Sequence, residues 1–170
     1  MTGFVWRRIH EAEREKQKIN SSIAVIPPQG KENRKTDISS RHFSLPVRVY
    51  REDTDDLGIV YYANYLKFMG RARSEWLRNL GFDQTVSMRE RNITFVIRKV
   101  AVDFLRPARL EDMLIVGATL QGFGPASLHF EQEVSSMTGA LLCRGHVRIA
   151  CVSVDTLRPR RVPRDLMMRF

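Results

Sequence analysis

The apolar residues of this chain change their spacing along its length, and the spacing predicts one long helix among several strands. Between residues 62 and 80 they recur three or four positions apart, which is typical of an amphipathic helix with a wide apolar stripe. Gly81 directly follows the stripe, and glycine commonly ends a helix. We therefore predict a helix of about five turns. Its stripe consists of Tyr62, Tyr65, Leu66, Met69, Ala72, Trp76, Leu77 and Leu80.

Runs rich in β-branched and aromatic residues predict strands on both sides of this helix. One strand precedes it, and four follow it without further long helices between them. Such grouping favours an antiparallel sheet, against which the single helix must bury its stripe. The pattern thus predicts an α+β domain with the sheet wrapped around the helix. The predicted strands span residues 43–53, 93–105, 113–123, 126–136 and 139–155.

The first 40 residues lack this patterning, and we predict that they form a poorly ordered basic extension of a domain spanning residues 41–170. A highly charged stretch is followed by a segment that contains Pro27, Pro28 and Gly30. A wrongly assigned translation start is the alternative explanation. The extension carries charges where a secretory signal is apolar, and no apolar run approaches the ~18–20 residues of a membrane span. We therefore expect a cytoplasmic protein without a transmembrane segment.

The composition narrows the classes of function. The chain has 28 Lys and Arg against 19 Asp and Glu, a net charge of +9, which attracts polyanions of any kind. It shows none of the recognisable nucleic-acid-binding motifs, so we expect no specific nucleic-acid partner. Cys143 and Cys151 are too few for a disulfide framework or a full metal site, and we predict reduced thiols. No metal-ligand spacing is present, and we predict no metal.

Three acidic residues, Asp53, Asp55 and Asp56, lie immediately before the predicted helix. A helix N-terminus carries unpaired amides and partial positive charge, which can stabilise a carbonyl oxygen as negative charge develops on it. A carboxylate in the preceding loop could act at the same place as a nucleophile or a general base. Aspartates before a helix are also ordinary caps and turn formers. The spacing alone leaves both interpretations open.

The segment from residue 49 to residue 81 resembles the signature of the hotdog-fold acyl-CoA thioesterases. The signature is an acidic D-x-D-x-x-G-[IV]-V-[YF] element that leads into the central helix, and it stands here over residues 53–61. Residues 104–114 and 145–163 also resemble this group. The likeness covers about residues 45–165 and is to the 4-hydroxybenzoyl-CoA thioesterase family, most closely to its branch of Tol–Pal-associated acyl-CoA thioesterases.

This resemblance implies the roles of particular residues. Asp55 corresponds to the catalytic carboxylate of the family, and the backbone amides near Tyr61 and Tyr62 are implied to polarise the thioester carbonyl. Three neighbours are pocket candidates: Gly58, Val60 and Asn64. The resemblance also implies a hotdog fold that works as a homodimer or homotetramer, with its active sites at a subunit interface.

The implied reaction is hydrolysis of an acyl-CoA thioester to a free acid and coenzyme A, in lipid metabolism. No cofactor is expected beyond the coenzyme A of the substrate, and acyl carrier protein is an alternative acyl donor. Three basic residues are candidates for binding the coenzyme A phosphates, although each also fits a solvated basic surface. They are Arg98, Lys99 and Arg158.

Two positions depart from the family pattern. Ala63 stands where many relatives of this branch have a histidine, which argues against a two-residue Asp/His mechanism. Gly70 stands in the helix where the family usually has an acidic residue. The alternative function is a non-catalytic hotdog module that binds acyl-CoA or acyl carrier protein. Asp55 favours the enzyme, whereas Ala63 favours the binding module.

Overall fold

The computed structural model describes residues 41–170, and the predicted extension over residues 1–40 lies outside them. Within the described residues the chain forms five strands and three α-helices. The strands are β1 (His42–Arg48), β2 (Ile93–Phe104), β3 (Met113–Gly124), β4 (Ser127–Ser136) and β5 (Leu141–Ser153). The helices are α1 (Tyr62–Asn79), α2 (Gln84–Glu90) and α3 (Arg164–Met167).

The strands form one antiparallel sheet in the order β1-β3-β4-β5-β2. Helix α1 packs on one face of this sheet, against β3, β1 and β4. The predicted α+β arrangement, with one long helix against an antiparallel sheet, is therefore confirmed. The arrangement leaves β1 and β2 at the two edges of the sheet.

The core lies between α1 and the sheet because the apolar stripe of the helix faces the inward side chains of the strands. Trp76 of α1 packs edge-on against Phe130 of β4, with ring centroids 5.1 Å apart. Gly145 of β5 allows the helix to approach closely, since a Cβ atom there would lie 3.0 Å from Sδ of Met69. Close helix–sheet packing thus holds the start of α1 in a fixed position relative to the strands.

Two local predictions were wrong or incomplete. Residues 51–53 form a 3-10 turn rather than the end of a strand, because the Asp53 carboxylate accepts a hydrogen bond from the Tyr50 amide at 3.0 Å. Helix α2 was not predicted, since seven residues are too few to show a clear period. Its start is capped by Asp83, whose side chain accepts from the Thr85 and Val86 amides. None of the helices in residues 41–170 is long and apolar enough to cross a membrane.

Candidate active site

The acidic segment before α1 folds back on itself as a tight loop. Thr54 pairs with Val60 across the loop, and the Asp55 amide donates to the Ile59 carbonyl at 2.9 Å. Gly58 closes the turn by donating to the Asp55 carbonyl at 3.0 Å, with a φ of +69° that favours glycine. The loop therefore presents Asp55 beside the residues that lead directly into the helix.

The carboxylate of Asp55 uses one oxygen to hold the loop. Its Oδ1 accepts hydrogen bonds from the amides of Leu57 at 2.9 Å and Ile59 at 3.3 Å. Within residues 41–170, Oδ2 accepts none, and the side chain is exposed. The loop thus fixes the orientation of the carboxylate while leaving one oxygen available for chemistry.

The carbonyl of Asp53 joins this loop to the first turn of α1. It accepts two hydrogen bonds, from the Tyr61 amide and from Nδ2 of Asn64, each at 2.9 Å. Asn64 is buried, so this bond is shielded from water. The predicted pocket candidate Asn64 is therefore placed as a positioning residue that sets the loop against the helix start.

The start of α1 provides amides with no partner inside the helix. Tyr61 precedes the helix, and its amide is already bonded to the Asp53 carbonyl. The amides of Tyr62 and Ala63 belong to the first turn, where no earlier helical carbonyl can accept from them. The first turn also contains no acidic residue to offset its partial positive charge. Tyr61 and Tyr62 are the two predicted carbonyl-polarising positions. Of these, Tyr62 has the amide that can still donate to a carbonyl oxygen.

A chain segment after β2 supports the loop from its other side. The Val60 amide donates to the Ala108 carbonyl at 2.9 Å, and the Leu110 amide donates to the Gly58 carbonyl at 3.1 Å. The hydroxyl of Tyr65 on α1 accepts from the Ala108 amide at 2.9 Å. Gly58 and Val60 thus act through their backbone as the scaffold of the Asp55 loop. The support from Ala108 and Tyr65 could not be found by sequence reasoning, because nothing in the local pattern links these distant residues.

An apolar patch adjoins the loop and the helix start. Tyr61 and Tyr62 have ring centroids 4.5 Å apart, and Tyr62 meets Phe104, the last residue of β2, at 6.4 Å. These rings are about half exposed, and Leu57 at the tip of the loop is 79% exposed. An apolar surface of this kind marks a binding or subunit-contact site. Together with two leucines of the segment after β2, the acyl patch consists of Leu57, Tyr61, Tyr62, Phe104, Leu105 and Leu110.

The residues predicted to bind the coenzyme A phosphates lie away from Asp55. Lys99 and its neighbour Arg98 are in the middle of β2, about 16 Å along the strand from Phe104 at ~3.3 Å per residue. Arg158 follows β5, close to the far end of β2, where Ser153 pairs with Ile93. The fold therefore does not bring these three residues to the carboxylate.

Other nucleophiles and metal ligands offer no second centre in the described part of the chain. Cys143 and Cys151 are buried and unpaired, and burial raises the pKa of each thiol to about 11. Both thiols therefore stay protonated and weakly nucleophilic near neutral pH. No group of three or more His, Cys, Asp or Glu side chains in residues 41–170 is placed to hold a metal ion.

The fold and the Asp55 loop together define a protein of the hotdog thioesterase class. The chain belongs to the Thioesterase-like superfamily, whose family model matches residues 49–170. It is 39% identical over 128 residues to the acyl-CoA thioesterase YbgC of Haemophilus influenzae, a match covering 75% of this chain and 93% of the relative. It is 41% identical to the acyl-CoA thioester hydrolase YbgC of Escherichia coli O157:H7, covering 75% of this chain and 95% of the relative.

Solved structures agree with this assignment. A probable thioesterase from Bartonella henselae is 33% identical with a TM-score of 0.68, covering 72% of this chain and 99% of that one. The fold also matches a mutant of 4-hydroxybenzoyl-CoA thioesterase complexed with 4-hydroxybenzoyl CoA, at 23% identity and a TM-score of 0.72, covering 76% of this chain and 98% of that one. These matches confirm the predicted family, the predicted hotdog fold and the predicted enzyme class, a thioesterase.

Proposed function

We propose that this chain hydrolyses an acyl-CoA thioester to a free acid and coenzyme A, with Asp55 as the catalytic carboxylate. The observation that carries the proposal is the geometry of the loop. Oδ1 of Asp55 is held by two loop amides, whereas Oδ2 is uncommitted, and the Asp53 carbonyl ties the same loop to the start of α1. The similarity to the YbgC acyl-CoA thioesterases supports acyl-CoA as the substrate class.

Hydrolysis of a thioester requires few catalytic groups. Sulfur donates weakly into the carbonyl group, so the carbonyl carbon is electrophilic, and thiolate is a good leaving group. As the tetrahedral intermediate forms, negative charge develops on the carbonyl oxygen, where the first-turn amide of Tyr62 can stabilise it. The C–S bond then breaks, and the coenzyme A thiolate takes up a proton.

Two routes start from the same carboxylate. In the first, Oδ2 of Asp55 attacks the carbonyl carbon, and water hydrolyses the resulting mixed anhydride. In the second, Asp55 removes a proton from a water molecule, which attacks the carbonyl carbon directly. Both routes need an ionised carboxylate aimed at the helix start, and both lose it when Asp55 is replaced.

The acyl pocket is completed by a second copy of this chain. The acyl patch is open in one subunit, and the neighbouring edge strand β2 exposes Val96, Ile97 and Val100. An exposed apolar edge strand is a surface on which another strand pairs. We therefore place the working site in a homodimer, which a homotetramer would contain twice. An acyl carrier protein would present the same thioester to this site.

Thiol release from a panel of acyl-CoAs tests the assignment. Asp55→Ala should lower kcat/KM by about 10²–10⁴-fold, because it removes the catalytic carboxylate. Asp56→Ala is the matched control, since Asp56 is the adjacent, exposed aspartate of the same loop. Its rate should stay within about threefold of wild type. Equal rates for Asp55→Ala and wild type would refute the assignment.

The second candidate is a non-catalytic module that binds acyl-CoA or acyl carrier protein. The specific observation in its favour is Ala63, which supplies no side-chain base in the first turn of α1. Such a module would bind acyl-CoA and release no thiol above the uncatalysed rate with any member of the panel. Asp55-dependent turnover of a single acyl-CoA would exclude it.

A further inference from the structure

A second concave site lies on the outer face of the sheet, opposite α1. Strand β5 alternates along its middle, with Val147 and Ile149 buried towards the helix and their neighbours exposed on the other face. A cavity of about 270 Å³ opens on this outer face. Its polar lining comes from four strands and consists of Lys99, Gln121, His129, His146 and Arg148.

Positive charge is concentrated across this cavity. Arg148 of β5 lies directly opposite Lys99 of β2 on one side and His129 of β4 on the other. Like charges directly opposite each other destabilise a sheet. In the described part of the chain neither Lys99 nor Arg148 forms an ion pair. A bound anion would therefore stabilise this row of side chains, which consists of Lys99, Arg148 and His129.

The acidic residues of the same face lie around Arg144, and one of them, Glu131, is also opposite His146 in the β4–β5 ladder. Glu133 and Glu131 of β4 lie 2.7 Å and 3.8 Å from Arg144, and Asp103 of β2 is opposite Arg144 in the ladder. Glu131 also accepts a hydrogen bond from Gln121 at 2.6 Å. The face is thus divided into an ion-paired half around Arg144 and a cationic half around Arg148, with Glu131 at the boundary between them.

Irregularities in two strands border the cationic half. The β2–β5 register shifts between Ile97 and Lys99, and the β3–β4 register shifts between Leu120 and Gly122. Bulges of this kind re-aim side chains and occur often beside functional sites. They flank the β4–β5 pair on both sides, at the level of Arg148. The cavity is therefore built by the backbone as well as by its side chains.

We propose that this cavity binds a phosphate group, held by Lys99 and Arg148 with the imidazoles of His129 and His146 beside them. Guanidinium and ammonium groups are the usual protein partners of phosphate. The volume of about 270 Å³ is slightly below that of whole-ligand pockets, which begin near ~300 Å³. The cavity thus fits inorganic phosphate or the phosphate end of a larger molecule, and it is separate from the Asp55 loop.

Titration of the full-length oligomer with inorganic phosphate, followed by the imidazole resonances in NMR, tests this site. His129 and His146 should shift with a single saturable curve, whereas His42, which bonds Thr119 on β3, should not. Arg148→Gln and, separately, Lys99→Gln should each weaken phosphate binding at least tenfold. Arg144→Gln, an arginine on the same strand and face, is the control and should bind within about threefold of wild type.

Competition by coenzyme A and by dephospho-coenzyme A distinguishes the source of the phosphate. Displacement of phosphate by coenzyme A alone would identify its 3′-phosphate as the ligand, whereas displacement by neither would identify free phosphate. Either result supports the site. Shifts shared equally by all the histidines, or binding unchanged in both Arg148→Gln and Lys99→Gln, would overturn it. Because no turnover is measured, this outcome is independent of the proposed hydrolysis.

Discussion

Two aspartates of one short loop differ completely in their surroundings. Asp53 is 4% exposed, and its carboxylate accepts from the Tyr50 amide while its carbonyl binds the helix start. Asp55, two residues later, is exposed and keeps one carboxylate oxygen uncommitted. The first aspartate therefore builds the loop, and the second is left for chemistry.

Replacing Asn64 tests how this loop is positioned. Asn64→Ala removes the side-chain donor to the Asp53 carbonyl, and we expect a loss of about 1–2 kcal/mol in the free energy of unfolding. We also expect a lower kcat with a smaller change in KM, because the carboxylate moves relative to the helix start. Urea unfolding and steady-state kinetics measure the two effects.

The control for this variant is Asn79→Ala, at the exposed end of the same helix, which should leave both quantities near their wild-type values. An Asn64→Ala enzyme with wild-type stability and wild-type kcat would show that the Asp53–Asn64 bond has no positioning role.

Among single residues, the position of the acidic loop followed from a local pattern, whereas the catalytic role of Asp55 stays a prediction. The acidic cluster before the helix identified the loop, and the family signature singled out Asp55 as its catalytic candidate. The bond from Asn64 to the Asp53 carbonyl and the bond from the Ala108 amide to Tyr65 could not be predicted, because each joins residues that come together only through the tertiary fold.

One buried glutamine forms hydrogen bonds between the sheet and helix α1. Gln132 of β4 accepts from Nη1 of Arg73 at 2.5 Å and donates to the Met69 carbonyl at 3.0 Å. Burial lowers the pKa of Arg73 to about 10, so the guanidinium is still charged at neutral pH. Gln132 is therefore the acceptor that compensates a buried cation.

Gln132→Leu should lower the free energy of unfolding by at least about 2 kcal/mol, because it leaves the buried Arg73 guanidinium without its hydrogen-bond acceptor. The double variant Arg73→Met with Gln132→Leu should recover part of that loss, since no charge is then left buried. Urea unfolding of wild type, of Gln132→Leu and of the double variant measures this recovery. A double variant no more stable than Gln132→Leu would contradict this account.

Helices α2 and α3 are joined by an ion pair with a defined pH dependence. Arg91, directly after α2, binds both carboxylate oxygens of Asp165 in α3, at 3.0 Å and 2.9 Å. Partial burial raises the pKa of Asp165, but the hydrogen bond and charge of Arg91 outweigh it, and the net pKa is lowered. Because the pKa of Asp165 is lower in the folded state, the ion pair stabilises the fold at pH values above the unfolded-state pKa. This stabilisation disappears as the pH falls through the folded-state pKa.

Asp165→Asn should therefore lower Tm at pH 7, and its difference from wild type should shrink once the pH drops below the usual aspartate range of about 4. Thermal unfolding across this pH range measures it, with Glu90→Gln as a control at the exposed end of α2. A Tm difference that is the same at pH 7 and at acid pH would be inconsistent with the ion pair.

The long elements were predictable, and the short ones were not. Helix α1 and the four strands after it repeat their pattern over ten or more residues each, so the period is clear. Residues 51–53 directly follow a strand-like run, yet the Asp53 carboxylate closes a turn there. The register shifts in β2 and β3 are set by neighbouring strands and leave no local mark in the sequence.

Strand β2 gives the sheet an open apolar edge. Ile97 is 58% exposed, and β2 pairs only with β5 within the described residues. The strand ends at Phe104, which belongs to the acyl patch. Pairing of this edge with a second copy would therefore bury the edge and close the acyl pocket together.

Ile97→Lys should shift the protein towards monomers and lower activity in parallel, because a charge on this edge opposes pairing. Light scattering and thiol release on the same samples measure both. Met137→Lys is the control, since Met137 is also exposed but follows β4 at its turn. An Ile97→Lys protein that stays oligomeric, or a fully active monomer, would contradict the shared pocket.

The assembly was implied only by resemblance to a family, since a periodic pattern shows which face of a strand is apolar and not what covers it. The strand β2 was predicted correctly from its composition, but its place at the sheet edge depends on the strand order. The same limit applies to Arg98, Lys99 and Arg158, whose distance from Asp55 in one subunit follows from the topology.

The variant Asp55→Asn separates substrate binding from thioester cleavage. Asparagine keeps an Oδ1 that can accept from the Leu57 and Ile59 amides, so the loop should hold its shape while the charge is lost. We predict acyl-CoA affinity within about threefold of wild type and single-turnover thioester cleavage slowed by about 10²–10⁴-fold. Cleavage at the wild-type rate by a folded, ligand-binding Asp55→Asn protein would contradict the account.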